Sequence, residues 1–216
     1  MAVERERLIV TIDGPGASGK SSTARGVARR LGIPYVSSGM LYRAAALAVI
    51  REGADPADEE AVMEAVSRHR IELRPGIEGD RVLMDGEEVT AELHTARVDR
   101  VVSPIAKHPR LRAWVNERLR EIPPPFVVDG RDMGSAVFPE APHKFFLWAD
   151  PEVRARRRAA ERGEDPARVE AELRERDHRD REQTRPAPDA VFIDTGELSL
   201  EEVVDRVVAE ISNRSG

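Results

Sequence analysis

One octapeptide limits what this chain can fold into more than any other feature. Gly14-Pro15-Gly16-Ala17-Ser18-Gly19-Lys20-Ser21 fits the pattern Gly-x-x-x-x-Gly-Lys-Ser/Thr. It follows the short β-branched run Leu8-Ile9-Val10-Thr11-Ile12 and opens a helical stretch from about Lys20 to Leu31, stopped by Gly32 and Pro34. Strand, glycine-rich loop and helix in that order make a phosphate-binding loop. Small residues let successive backbone N–H groups converge on an anion, and the helix start adds its positive dipole end. Lys20 is expected to neutralise β- and γ-phosphate charge, and the Ser21 hydroxyl to ligate Mg²⁺. The expected nucleotide-binding set is Gly14, Pro15, Gly16, Ala17, Ser18, Gly19, Lys20, Ser21 and Ser22.

The rest of the pattern fits around that unit. Short apolar runs at Tyr35-Val36, 126–129, 144–148 and 191–193 read as buried strands. Helical segments separate them, so the fold class is α/β: a parallel five-stranded sheet of the phosphate-loop type, covered by helices on both faces. Asp150-Pro151 is a helix start. Arg/Glu-rich helices are expected over about 151–162 and 166–182, and Ser199-x-x-Glu202 is a capping box before a closing helix. Between about 67 and 100 the period changes to two. Asp85-Gly86 there separates two short strand patterns, a hairpin signal. This is the core of an inserted antiparallel patch. The expected division is a core at about 1–66, 100–150 and 185–216, an inserted acceptor-binding region at about 67–100, and a helical lid at about 151–184.

Composition narrows the function. With 216 residues there is enough chain for one domain with an insertion. There is no cysteine, hence no thiolate metal site and no cysteine nucleophile. The net charge of -6 argues against a general nucleic-acid-coating surface. No apolar run approaches the roughly 18 residues of a membrane span. The polar start of the chain lacks a signal-peptide core, so a cytoplasmic location is expected, without membrane or nucleic-acid polymer as partner. A monomer is expected, because no helix carries an extra apolar face. The five histidines show no metal-ligand spacing.

The 34 basic residues divide into 31 arginines and three lysines, Lys20, Lys107 and Lys144. One of the three falls where the phosphate loop needs a compact ammonium. The two asparagines, Asn116 and Asn213, do not precede a lysine, so the base-reading motif of a GTPase is missing. A small-molecule kinase fits the size, and it needs a second anion site. Ser37-Ser38-Gly39-Met40-Leu41-Tyr42-Arg43 and Asp129-Gly130-Arg131-Asp132-Met133-Gly134 both follow strands, at the carboxyl edge where open α/β sheets bind ligands. Arg43 and Arg131 there supply two forks for one acceptor phosphate, and Asp132 could accept from an exocyclic amine. Arg154, Arg156, Arg157, Arg158 and Arg162, five arginines in nine residues, read as a lid facing phosphates.

These strings together resemble the bacterial cytidylate (CMP) kinases, a family of nucleoside monophosphate kinases, nearly end to end. The resemblance rests on Ile12-Asp13-Gly14-Pro15 through Ser21, on Ser38-Gly39 with Tyr42-Arg43, on Asp129 to Gly134 with Phe138-Pro139, and on Arg176-Asp177 with Asp180. It implies transfer of the ATP γ-phosphoryl group to CMP or dCMP with Mg²⁺. It also implies that Lys20, Arg43, Arg131, Arg157 and Arg158 act on the transferring phosphates. The implied acceptor set is Ser38, Tyr42, Arg43, Ser103, Arg112, Asp129, Arg131, Asp132, Arg176, Asp180 and Arg185. One position departs from the family pattern. Gln183 stands where an arginine is usual, which leaves Arg181 or Arg185 as the last phosphate-contacting arginine.

Overall fold

Burial dictates the arrangement of strands. In the structure, a computed structural model that describes residues 7–181 and 184–214, β1 (Ile9–Asp13) is central in a five-stranded sheet. Val10 and Ile12 are fully buried on one of its faces and Thr11 on the other. Such a strand is stable only with neighbours on both edges and layers on both faces. The strand order is β2 (Tyr35–Ser37), β6 (Phe126–Gly130), β1, β7 (His143–Trp148), β8 (Val191–Asp194). Pairing is parallel from β6 to β1, β1 to β7 and β7 to β8. Phosphate-loop, β6 and β7 carboxyl ends therefore emerge at one edge, as the motif requires.

The chain separates into two compact units, 1–35 with 124–216, and 36–123. In the first, helix α1 (Lys20–Leu31) and the closing helix, α8 (Leu200–Arg214), bury Val27, Val203, Val204, Val207 and Ile211 against Val10, Ile12, Val127, Phe145, Leu147 and Ile193. The capping box before α8 forms reciprocally. Glu202 accepts from the Ser199 N–H at 2.8 Å, and Ser199 Oγ accepts from the Glu202 N–H at 3.3 Å. Two further helices, α6 (Pro151–Arg162) and α7 (Pro166–Arg179), pack together through Ala155, Ala159, Val169 and Leu173. Asp150 occupies the N-cap position of α6, but its side chain makes no capping bond. Helix α7 ends at Arg179, short of the expected 182; Asp180 caps it outside helical dihedral angles and its carboxylate pairs with Arg131.

The second unit holds α2 (Ser38–Glu52), α3 (Glu59–Ser67), α4 (Ala96–Ile105) and α5 (Pro109–Arg120). With them is the antiparallel sheet β3 (Ile71–Arg74), β4 (Arg81–Met84), β5 (Glu87–Glu88). The turn at Asp85 (φ 55) and Gly86 (φ 90) has two left-handed residues, as the Asp-Gly hairpin signal requires.

Gly14 is where sheet and loop meet. Its φ is 156, and a Cβ there would lie 2.3 Å from the Leu147 carbonyl oxygen of β7. Gly14→Ala should therefore destabilise the protein by about 1–3 kcal/mol, the usual cost of overpacking a close contact. Urea unfolding measures this; an unchanged midpoint would show that the close approach of loop and strand is dispensable.

Candidate active site

The phosphate loop closes on itself before the helix begins. The Ser18 N–H donates to the Pro15 carbonyl at 3.4 Å, and Lys20 Nζ reaches back to the same carbonyl at 3.2 Å. Ala17 (φ 60) and Gly19 (φ 86) are both left-handed, the alternation that turns backbone N–H groups towards one concave side. Ala17, Gly19, Lys20, Ser21 and Ser22 line a cleft of about 200 Å³ with Arg157, Arg158 and Glu161 of α6.

Asp129 lies one residue before the end of β6 and bonds this loop. Its Oδ2 accepts from Ser21 Oγ at 2.6 Å, and its Oδ1 accepts from the buried Tyr35 hydroxyl at 2.6 Å. Tyr35 thus fixes the carboxylate, and the carboxylate fixes the serine. Two hard oxygens at one point suit a divalent cation such as Mg²⁺. The family resemblance put Asp129 among the acceptor-binding residues; in the structure its side chain is turned to the phosphate loop.

Lys20 is partly buried, and loss of water around its ammonium pulls its pKa from 10.5 down to about 8. The Asp129 charge opposes that drop, while Arg131 and Arg176 add to it. Three cations therefore share one neighbourhood, an arrangement made for an anion of several charges. Arg131 forms an ion pair with Asp180, which also lies 3.6 Å from Arg176. So Arg131, Arg176 and Asp180 are together, as one cluster at the end of α7. Arg157 spends its fork on the loop after β8, donating to Thr195 Oγ1 at 3.2 Å and to the Thr195 carbonyl at 2.5 Å. Arg154, read as facing phosphates, is instead 2% exposed and bonded to protein groups. Arg181 and Arg185 are exposed, and Gln183 lies outside the described residues.

Asp132 opens a short π-helical turn, Met133–Val137. Asp13 is its hidden anchor. It sits 4% exposed at the end of β1, and its two carboxylate oxygens accept from the Met133 and Gly134 N–H groups at 2.9 and 2.8 Å. A carboxylate directly after a buried apolar run was the one visible signal for it.

In the second unit, Ser38 opens α2 and Tyr42 and Arg43 lie on its first turns. Arg43 donates to the Leu93 carbonyl at 2.7 Å and pairs with Asp99 of α4 at 2.7 Å. Ser103 lies four residues after Asp99 on α4, hence on the same helix face. Arg112 is in the second turn of α5. No group of three or more potential metal ligands from His, Asp and Glu occurs among the described residues.

A phosphate loop backed by a Ser–Asp pair and flanked by arginine-bearing helices defines a P-loop kinase fold. A gluconokinase structure from Sinorhizobium meliloti shares that fold, with a TM-score of 0.51 at 17% identity, covering 97% of this chain and 94% of its own. The family model described as cytidylate kinase matches residues 10–213. A cytidylate kinase of Thermus thermophilus is 58% identical over 95% of this chain and 99% of its own length. One of Deinococcus radiodurans is 53% identical over 94% and 99%. The chain belongs to the cytidylate kinase family.

Burial raises the Asp13 pKa from 3.8 to about 7, against the lowering effect of its two N–H bonds. The folded chain therefore holds this proton where the unfolded chain has lost it. The associated stability is fully present below the unfolded pKa and is lost as pH rises through about 7. Urea unfolding should show the stability of the parent falling relative to Asp13→Asn between about pH 4 and pH 8. A constant difference would mean that Asp13 titrates normally.

Proposed function

We propose that the protein transfers the γ-phosphoryl group of ATP to CMP or dCMP, giving ADP and CDP or dCDP. The observation that carries this reading is the phosphate loop with its Ser21–Asp129 pair, in a chain 58% identical to a cytidylate kinase over nearly its whole length. A cytoplasmic monomer acting only on small molecules goes with it. Among the described residues no helix is long and apolar enough to cross a membrane.

The reaction needs no general base. The second pKa of a phosphate monoester is about 6, so the acceptor is already mostly a dianion near neutral pH. Positioning and charge neutralisation then supply the catalysis. Lys20 and the loop N–H groups hold the β- and γ-phosphates. Ser21, with Asp129 behind it, would hold Mg²⁺, which would supply a further neutralising charge at the site of transfer. Arg43 and Arg131 take the acceptor phosphate, while Arg158 faces the transferring group from the lid and Arg157 joins it by giving up its bonds to Thr195. Ser103, Arg112 and Asp132 read the base, Ser38 and Tyr42 border it, and Arg176 and Asp180 contact the ribose. Arg181 or Arg185 is the remaining arginine for the acceptor phosphate. In this reading the Arg131–Asp180 pair exchanges its internal contact for substrate contacts on binding.

ADP release with CMP, dCMP, UMP or AMP as acceptor tests the assignment. CMP or dCMP should be the preferred acceptor; equal rates with AMP would refute it. Lys20→Ala should lower kcat by about a hundredfold or more, in line with loss of one preorganised charge partner of the transition state. Near-normal turnover would remove Lys20 from its assigned role.

A further inference from the structure

Arg154 is the largest side chain of the described residues that is fully buried, and phosphate binding as read above gives it nothing to do. Its Nε donates to the Ala149 carbonyl, just beyond β7, at 2.8 Å. Its Nη1 donates to the Gly16 carbonyl, inside the phosphate loop, at 3.0 Å. Its outer edge is held by Asp177 of α7, with contacts of 3.2 and 2.5 Å to the two carboxylate oxygens. One planar fork thus joins sheet, phosphate loop and second lid helix, which a lysine ammonium cannot span.

The contact to Gly16 decides an orientation. In a trans peptide the C=O and N–H point in opposite directions. With the Gly16 carbonyl turned to Arg154, the N–H of Ala17 points the other way. Ala17 lines the cleft shared with Lys20 and Ser21. Ala17 also has φ 60, a left-handed conformation that an alanine keeps only where its surroundings impose it. Those surroundings come from α6 and α7 together. Ala17 packs on the cluster that includes Val169 and Leu173, and Leu173 Cδ2 would lie 3.5 Å from a Cβ on Gly16. Val169, Leu173 and Asp177 recur every four residues, so one face of α7 supports the loop and grips Arg154.

We propose that Arg154, oriented by Asp177, is a positioning residue that aims the Ala17 N–H at the nucleotide phosphates and makes the geometry of the phosphate loop depend on α7. The proposal rests on the reading of this loop as the ATP site. It extends the roles of the lid arginines, since Arg154 acts through the backbone and touches no substrate.

The test uses the full chain, with ADP as probe in calorimetric titration and the Ala17 amide resonance followed by NMR. Asp177→Asn keeps the shape of the side chain and weakens its grip. Arg154→Lys keeps the charge and loses the fork. Both should bind ADP about tenfold more weakly, the scale of one hydrogen bond to a charged group. The shift of the Ala17 amide on ADP addition should shrink in both, with cooperative thermal unfolding retained. Wild-type ADP affinity and a wild-type Ala17 shift in either folded variant would overturn the proposal. Should both single variants fail to fold, Arg154→Met combined with Asp177→Leu replaces the largely buried pair by apolar groups, which such sites tolerate. That double variant should fold and still bind ADP weakly; full affinity in it would equally overturn the proposal. A wild-type chain that did not bind ADP would instead refute the reading of the ATP site, and the proposal with it.

Discussion

Concentrated positive charge at the carboxyl edge of the sheet is the constraint on which the rest of the structure depends. A triphosphate and an acceptor phosphate repel one another, and the protein must bring cations near both before they meet. Lys20, Arg131 and Arg176 are close enough for the two arginines to help lower the lysine pKa to about 8. Such a cluster destabilises an unliganded protein unless carboxylates are interleaved. Asp180 beside Arg131 and Arg176 meets that need. Asp177 does the same for Arg154.

Those carboxylates divide by what they hold. Asp129 is fixed by Tyr35 and presents Ser21. Asp13 holds the turn that follows Asp132 through two backbone N–H groups. Asp177 orients an arginine that bonds the phosphate loop. Each acts on backbone or on a neighbouring side chain, so the rigid geometry needed for in-line transfer is built one layer behind the groups assigned to the substrates.

The phosphate loop, the strands and the Asp-Gly hairpin were legible in the sequence because their signals are local. Glycines, a lysine and a β-branched run within thirteen residues, 9–21, fix a strand, a loop and a helix start. The π-helical turn at Met133–Val137 was not legible, since its N–H groups are drawn to Asp13, 120 positions away in sequence. Nor did the arginine run reveal which member turns inward. On α6, Ala155 and Ala159 mark the buried stripe, and Arg154 borders it. Small residues beside an arginine were the available signal, but the partner that makes burial tolerable, Asp177, lies 23 residues on.

Most of the assigned roles converge on the fate of a single phosphoryl group. ATP labelled at the γ-phosphate, mixed with the protein and CMP and quenched within one turnover, reports that fate directly. Label in the β-phosphate of CDP, dependent on CMP, is the outcome expected. Label released as inorganic phosphate, at a rate indifferent to CMP, would contradict phosphoryl transfer to a nucleoside monophosphate.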